Sequence, residues 1–265
     1  MTQTIISTII QVMIYIAFLI FTFIILLFAF YQWQYFMVFT PVYYRKDILD
    51  DSFEILSITS DDGVELEGVV YEPQNPKTTL LFFPGRNHDS VGLVKKLSIS
   101  FPDIRIITFN YRSYGRSGGV INEKNIFQDG VLVANMVKKH YGQFYILGFS
   151  IGSSVASYVA SQVDTLSLFL IGAFDNIAKL AKRRFHFDIS WLYRYRFDTL
   201  KFVQQVKSKT YLFVSQDDEL TYIENARNLK KYIKNLVYYK EYVGLTHKEL
   251  FLEKEIIDKI NEELR

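Results

Sequence analysis

The chain contains no cysteine. That excludes a disulfide framework and any thiolate-ligated metal, and it fits an oxidising or a reducing compartment equally. Metal-site spacing is missing too: the four histidines form no H-E-x-x-H and no paired cluster. The glycines of the stretch Ser113 to Gly119 make neither G-x-G-x-x-G nor a Walker A, so that stretch reads as a structural loop and no cofactor is expected. A net charge of +2 is too small to argue for nucleic acid, and no basic-aromatic recognition motif accompanies it. No internal repeat or low-complexity linker divides the chain. The last absence is regional: no charged side chain occurs before Arg45.

That uncharged region is filled by apolar residues. Ile5 to Tyr31 is a nearly continuous run of Ile, Leu, Phe and Val, long enough to cross a hydrocarbon core of about 30 Å. Tyr31-Gln32-Trp33-Gln34-Tyr35-Phe36 follows, an aromatic belt suited to the headgroup level. The apolar residues surround the helix rather than forming a stripe, which argues against a buried core helix. A cleaved signal peptide calls for a basic leader, a shorter apolar core and a small-residue cleavage site, none of which is present. Residues 1–44 are therefore expected to be a single-pass anchor with an interfacial segment, its partner the lipid bilayer. Arg45 and Lys46, with Asp47, Asp50 and Asp51 close behind, tip the following domain toward the cytoplasmic side.

Residues 45–265 are enough for one α/β domain with a full core. Strands are expected at Phe53–Thr59, Val64–Tyr71, Thr79–Phe83, Arg105–Asn110, Phe144–Phe149, Leu166–Ile171, Tyr211–Val214 and Leu236–Tyr242. The first two suit an antiparallel hairpin around Asp62-Gly63. Helical patterns between most of the others predict a mainly parallel eight-stranded sheet covered on both faces. One segment, 174–207, interrupts the alternation and reads as a small cap insert. Its arginines (Arg183, Arg184, Arg194, Arg196) alternate with aromatics including Phe185, Trp191 and Tyr193. That pattern suits a membrane interface, or an ordinary packed cap with its arginines turned to solvent.

The most informative stretch is Phe144 to Ala160, FYILGFSIGSSVASYVA. An apolar run meets Gly148-Phe149-Ser150-Ile151-Gly152 and then a small-residue helix. This is the nucleophile-elbow pattern G-x-S-x-G between a strand and a helix. The alternative is a Gly/Ser turn in which Ser150 simply caps the helix. In the elbow reading Ser150 projects above the sheet, and Ile151 offers its backbone N–H to an oxyanion from a helix N-terminus. A serine nucleophile also needs a base and an orienting acid, here in the chain order Ser, Asp/Glu, His. Asp217 and Asp218 follow one expected strand and His247 follows another, where open α/β sheets place their sites. Among the other histidines, His140 sits late in a helix expected at Val131 to Tyr141, His186 lies in the cap, and His88 is too early in the chain to be the base.

These blocks together resemble the α/β-hydrolases, and most closely their Bem46-like, membrane-anchored branch, from about Phe53 to the C-terminus. Besides GFSIG, the resemblance rests on Leu81-Phe82-Phe83-Pro84-Gly85-Arg86-Asn87, similar to the family's oxyanion turn, and on Phe109 to Gly119, FNYRSYGRSGG. Arg196-Phe197-Asp198-Thr199-Leu200 and the ending Val243 to Leu250, with its G-x-x-H, also resemble family segments. The chain departs from the family pattern at Pro84, where His is usual, at Arg86, often Asn, and at Ser215, usually Gly. The resemblance implies Ser150, Asp218 and His247 as triad, Asp217 as the runner-up acid, and the N–H groups of Arg86 and Ile151 as oxyanion hole. It implies a serine hydrolase acting on an ester or thioester, with acyl-lipid or acyl-protein as substrate. The rivals are a peptidase of the same fold and a non-catalytic membrane scaffold.

Overall fold

The computed structural model of the chain describes residues 2–43, 49–185 and 190–265. The charge signal at Arg45, Lys46 and Asp47, together with Tyr44, His186 and Phe187, lies outside the described residues, as does the Phe185 side chain.

Helix α1 (Thr2–Val38) is 37 residues long, roughly 55 Å at 1.5 Å per residue. It is long and apolar enough to cross a membrane, with a mean hydropathy of 2.9 over its most apolar stretch, none of which is buried. The helix runs past the belt expected at Tyr31 to Phe36, and its last turns change character. Gln34, Val38 and Phe39 are buried against the rest of the chain. Val38 and Phe39 join the largest of three hydrophobic clusters found among the described residues. Residues placed with the anchor by their composition thus pack as part of the globular domain.

That domain follows as β1 (Phe53–Thr59), β2 (Glu65–Tyr71), β3 (Thr79–Phe83), α2 (Ser90–Ser100), β4 (Arg105–Phe109), α3 (Glu123–Tyr141), β5 (Tyr145–Phe149), α4 (Ile151–Gln162) and β6 (Ser167–Ile171). Then come α5 (Ile177–Phe185), a short 3-10 turn at Ser190–Leu192, α6 (Thr199–Val203), β7 (Lys209–Ser215), α7 (Ile223–Lys230), β8 (Leu236–Tyr242), α8 (His247–Leu250) and α9 (Lys254–Glu263). The eight strands form one sheet in the order β1-β2-β4-β3-β5-β6-β7-β8. β1 and β2 pair antiparallel, as do β2 and β4, and the remaining pairs are parallel.

Side-chain alternation divides the core. In β3, Leu81 and Phe83 face one side with α3, α4, α6 and the end of α1, while Leu80 and Phe82 face the other with α2, α8 and α9. Strands covered on both faces read as unbroken apolar runs, which is why β3 and β6 are buried along their whole length. Helix α3 starts at Glu123, eight residues before the expected Val131, after an Asn122–Asn125 capping box. Gly130 inside it is a packing device: a Cβ there would lie 3.0 Å from Val159 and 3.1 Å from Val155 of α4.

The cap insert leaves β6 and is pinned at both ends. Buried Asp175 accepts from the Asn225 and Asn228 side chains of α7, each at 2.7 Å. At its far end Glu123 accepts the backbone N–H of Arg196 (2.6 Å) and Phe197 (2.9 Å). Burial pushes the Glu123 carboxyl up, and those two bonds partly offset it.

Candidate active site

Ser150 sits between β5 and α4 with φ 57° and ψ −123°, a left-handed backbone that a non-glycine residue rarely adopts. The glycines on either side make the turn possible. A Cβ at Gly152 would lie 2.1 Å from the Phe83 carbonyl, and one at Gly148 would lie 2.5 Å from the Gly152 carbonyl. Only glycine lets α4 cross this close to β3 and β5. The Ser150 backbone is held by its N–H to the Ile171 carbonyl (2.9 Å) and by the Ser153 N–H to its own carbonyl (2.9 Å). Its side chain makes no cap bond to α4, so the helix-cap alternative lacks its characteristic contact. Ile151 opens α4, and its N–H is among the first four that a helix leaves without an internal partner.

Asp218 and His247 meet across the loops after β7 and β8. Asp218 Oδ2 lies 2.7 Å from His247 Nδ1, with both side chains buried. The same carboxylate accepts the Thr221 hydroxyl (2.6 Å) and the N–H groups of Leu220 (2.9 Å) and Thr221 (2.7 Å). Burial works to raise the Asp218 carboxyl, but the bonds from His247 and Thr221 outweigh it and hold the group below the usual carboxylate range. His247 begins α8 behind a Thr246–Glu249 capping box. Its backbone N–H donates to Glu219 (3.0 Å), and its ring stacks on Phe149 at 4.9 Å. Asp217 does something else. It is exposed and accepts the Gly244 N–H at 2.6 Å, closing the β8 loop onto the β7 loop. Ser215, in the place of the family's glycine, donates its hydroxyl to the Leu245 carbonyl at 2.6 Å.

The turn 84–86 is suspended from the loop after β4. The Tyr111 hydroxyl donates to the Pro84 carbonyl (2.9 Å) and the Tyr114 hydroxyl to the Arg86 carbonyl (2.5 Å). Part of the work of the stretch FNYRSYGRSGG is thus to hold this turn. The Arg86 N–H finds no acceptor among the described residues. The Arg86 guanidinium donates to the Met37 carbonyl at the end of α1, a favourable cation at a helix C-terminus. Composition gave no sign of this contact, since the two residues are far apart in sequence.

Two clefts reach Ser150. One, about 160 Å³, is mainly apolar and lies between the end of α1 (Met37, Val38) and the cap (Ile177, Leu180, Tyr193), with Ile151 at its base. The other, about 660 Å³, carries His88, Lys96, Glu219, His247, Lys248 and Glu249. His88 packs its ring on Phe149 and Phe251, and burial lowers its proton affinity. His140 lies at the exposed end of α3, away from both clefts. Among the described residues no group of three or more His, Asp or Glu could hold a metal ion.

An eight-stranded, mainly parallel sheet with helices on both faces and a sharp serine turn after β5 defines the α/β-hydrolase fold. Solved structures share it. An esterase of Pyrococcus furiosus superposes with a TM-score of 0.66 at 17% identity, over 84% of this chain and 95% of that one. The α/β hydrolase GrgF from Penicillium sp. sh18 gives 0.67 at 14% identity over 80% and 97%. An α/β hydrolase from Vibrio vulnificus gives 0.66 at 16% identity over 80% and 81%. At the sequence level, an uncharacterized protein of Acanthamoeba polyphaga mimivirus is 25% identical over 204 residues, 68% of this chain and 69% of that protein. No family model matches the chain.

Proposed function

We propose that this chain is a membrane-anchored serine hydrolase that cleaves a carboxylic ester or thioester through an acyl-enzyme. The observation that carries the reading is the left-handed Ser150, set on a helix N-terminus in the same cleft as a buried Asp218–His247 pair. In this reading Ser150 Oγ attacks the carbonyl carbon. His247 takes the hydroxyl proton and then passes it to the leaving group, and water repeats the sequence to release the acid. Asp218 fixes the imidazole with Nδ1–H toward itself and stabilises the charged ring. The N–H groups of Ile151 and Arg86 receive the oxyanion. The esterases among the structural neighbours agree with hydrolysis as the reaction type.

The anchoring half of the proposal rests on α1, whose apolar residues from Ile5 to Phe28 are exposed apart from the half-buried Leu27. A panel of p-nitrophenyl esters of graded acyl length, run on the full chain in detergent, tests the activity. Hydrolysis that disappears in Ser150→Ala supports the reading. Hydrolysis that survives in Ser150→Ala assigns the nucleophile elsewhere, and a wild-type chain inert to esters, thioesters and peptides leaves a scaffold.

A further inference from the structure

The end of α1 is placed to do more than tether. The two clefts that meet at Ser150 differ in chemistry: one is walled mainly by apolar side chains, and the other, which alone takes His247, mixes charged groups with apolar ones such as Leu93, Phe251 and Leu252. A general acid must stand beside the leaving group. The leaving group therefore belongs in the cleft that His247 lines, beside Lys96, Glu219, Lys248 and Glu249. The acyl chain belongs in the apolar one, whose outer wall is Met37 and Val38 of α1. An ordered water needs roughly 10–15 Å³, so a cleft of about 160 Å³ holds on the order of ten chain atoms.

The wall is fixed in place from three sides. Gln34 is buried and bridges α1 to the cap, donating to the Leu192 carbonyl (2.9 Å) and accepting the Arg194 N–H (2.7 Å). The Arg86 guanidinium holds the Met37 carbonyl. The Tyr114 hydroxyl accepts the Thr40 N–H (2.9 Å) while donating to the Arg86 carbonyl (2.5 Å). Aromatic contacts extend the seam outward: Phe30 packs edge-on against Tyr193 at 6.2 Å, and the Arg194 guanidinium lies 4.7 Å from the Tyr31 ring centroid. From Ala29 back to Gln3 the same helix is largely apolar and exposed apart from Thr22 and Leu27, which are half-buried. An acyl chain leaving the cleft along α1 thus stays on apolar surface until it reaches lipid.

We infer that Met37 and Val38, at the docked end of α1, set the acyl-length preference of the Ser150 site, and that its substrate carries a medium-length or longer aliphatic acyl chain delivered from the bilayer along this helix. The inference rests on the hydrolase reading above. A hydrophobic wall of this kind discriminates chain lengths because a short chain leaves part of it uncovered and an overlong one collides with it, at about ten-fold or more for a misfit.

The full chain in lipid nanodiscs tests it. The readout is the ratio of kcat/KM for p-nitrophenyl decanoate to that for p-nitrophenyl butanoate, with fluorophosphonate labelling of Ser150 as the check that each variant keeps an intact site. Met37→Trp, which fills the cleft, lowers the ratio about ten-fold. Met37→Ala, which opens it, moves the preference toward longer chains. Leu19→Trp, exposed in the middle of α1, keeps the wild-type ratio. If Met37→Trp fails to label, Met37→Phe takes its place. Met37 variants that label normally yet keep the wild-type ratio overturn the inference, as does an equal shift from Leu19→Trp. A wild-type chain that neither labels nor hydrolyses overturns the hydrolase reading instead.

Discussion

Asp218 and His247 share a 2.7 Å hydrogen bond in a buried setting, while the adjacent Asp217 spends its carboxylate on the Gly244 amide. Two neighbouring acids thus have separate work, one on the imidazole and one on the loop that carries it. Asp218→Asn is expected to lower kcat on the order of ten-thousand-fold by turning the imidazole to the wrong tautomer. Asp217→Asn keeps an amide oxygen to accept from Gly244 and loses ten-fold at most. Steady-state hydrolysis of a short ester by the two variants decides, and the reverse ranking moves the orienting role to Asp217.

The same pair predicts a pH dependence of stability. The Asp218 carboxyl is held below its usual 3.8 in the folded chain, so the unfolded chain binds the proton more tightly. The resulting stabilisation is complete above about pH 4 and is lost as pH falls through the lower folded value. Between pH 4 and pH 2, thermal unfolding of the wild type should drop more steeply than that of Asp218→Asn. Parallel curves would show that the carboxylate contributes no such linkage.

The loop after β4 is the third test. Arg112 is buried and bidentate to Asp129 (2.7 and 2.8 Å) and to Asp62 (2.6 and 2.8 Å). Asp129 is nearly enclosed, whereas the Asp62 side chain is 60% exposed. Arg112→Met strands the Asp129 charge and is expected to cost about 3–5 kcal/mol. Asp62→Asn removes only the solvated partner and should cost far less. Denaturant midpoints in detergent measure both, and comparable losses would contradict this division.

Gln34 supplies a fourth. Gln34→Leu leaves the partly buried Leu192 carbonyl and Arg194 N–H without their partner, at about 1 kcal/mol each, the low end for an unsatisfied group. Hydrogen exchange at the Arg194 amide should quicken by about ten-fold or more, while protection in β5 and β6 stays as in the wild type. Unchanged exchange at Arg194 would mean that the cap does not depend on this bridge.

What could be read in advance divides along physical lines. The eight strands are local signals, because each is a short apolar run bounded by turns, and the structure places them within a few residues of expectation. GFSIG, the acids after β7 and the histidine after β8 were legible because this fold brings strand ends together. The insertion of β3 between β4 and β5 is a pairing choice that no single strand encodes. The docking of α1 was hidden for a different reason. Gln34, Met37 and Val38 continue an apolar helix, and contacts from positions distant in sequence, such as Arg86 and Arg194, show where the exposed helix stops and the domain begins. Helix α3 starts well before the expected Val131, and it runs through Gly130, a poor helix former in isolation that packing against α4 requires here.

The central claim is that Ser150 is the nucleophile, and the most direct measurement of it is a map of the covalent adduct. The full chain is treated with a fluorophosphonate probe, digested, and its modified peptide sequenced by mass spectrometry. A single adduct is expected on Ser150, absent in Ser150→Ala and strongly slowed in His247→Ala, with both variants folded by circular dichroism. An adduct on another residue, or no adduct in a chain that still hydrolyses esters, would contradict it.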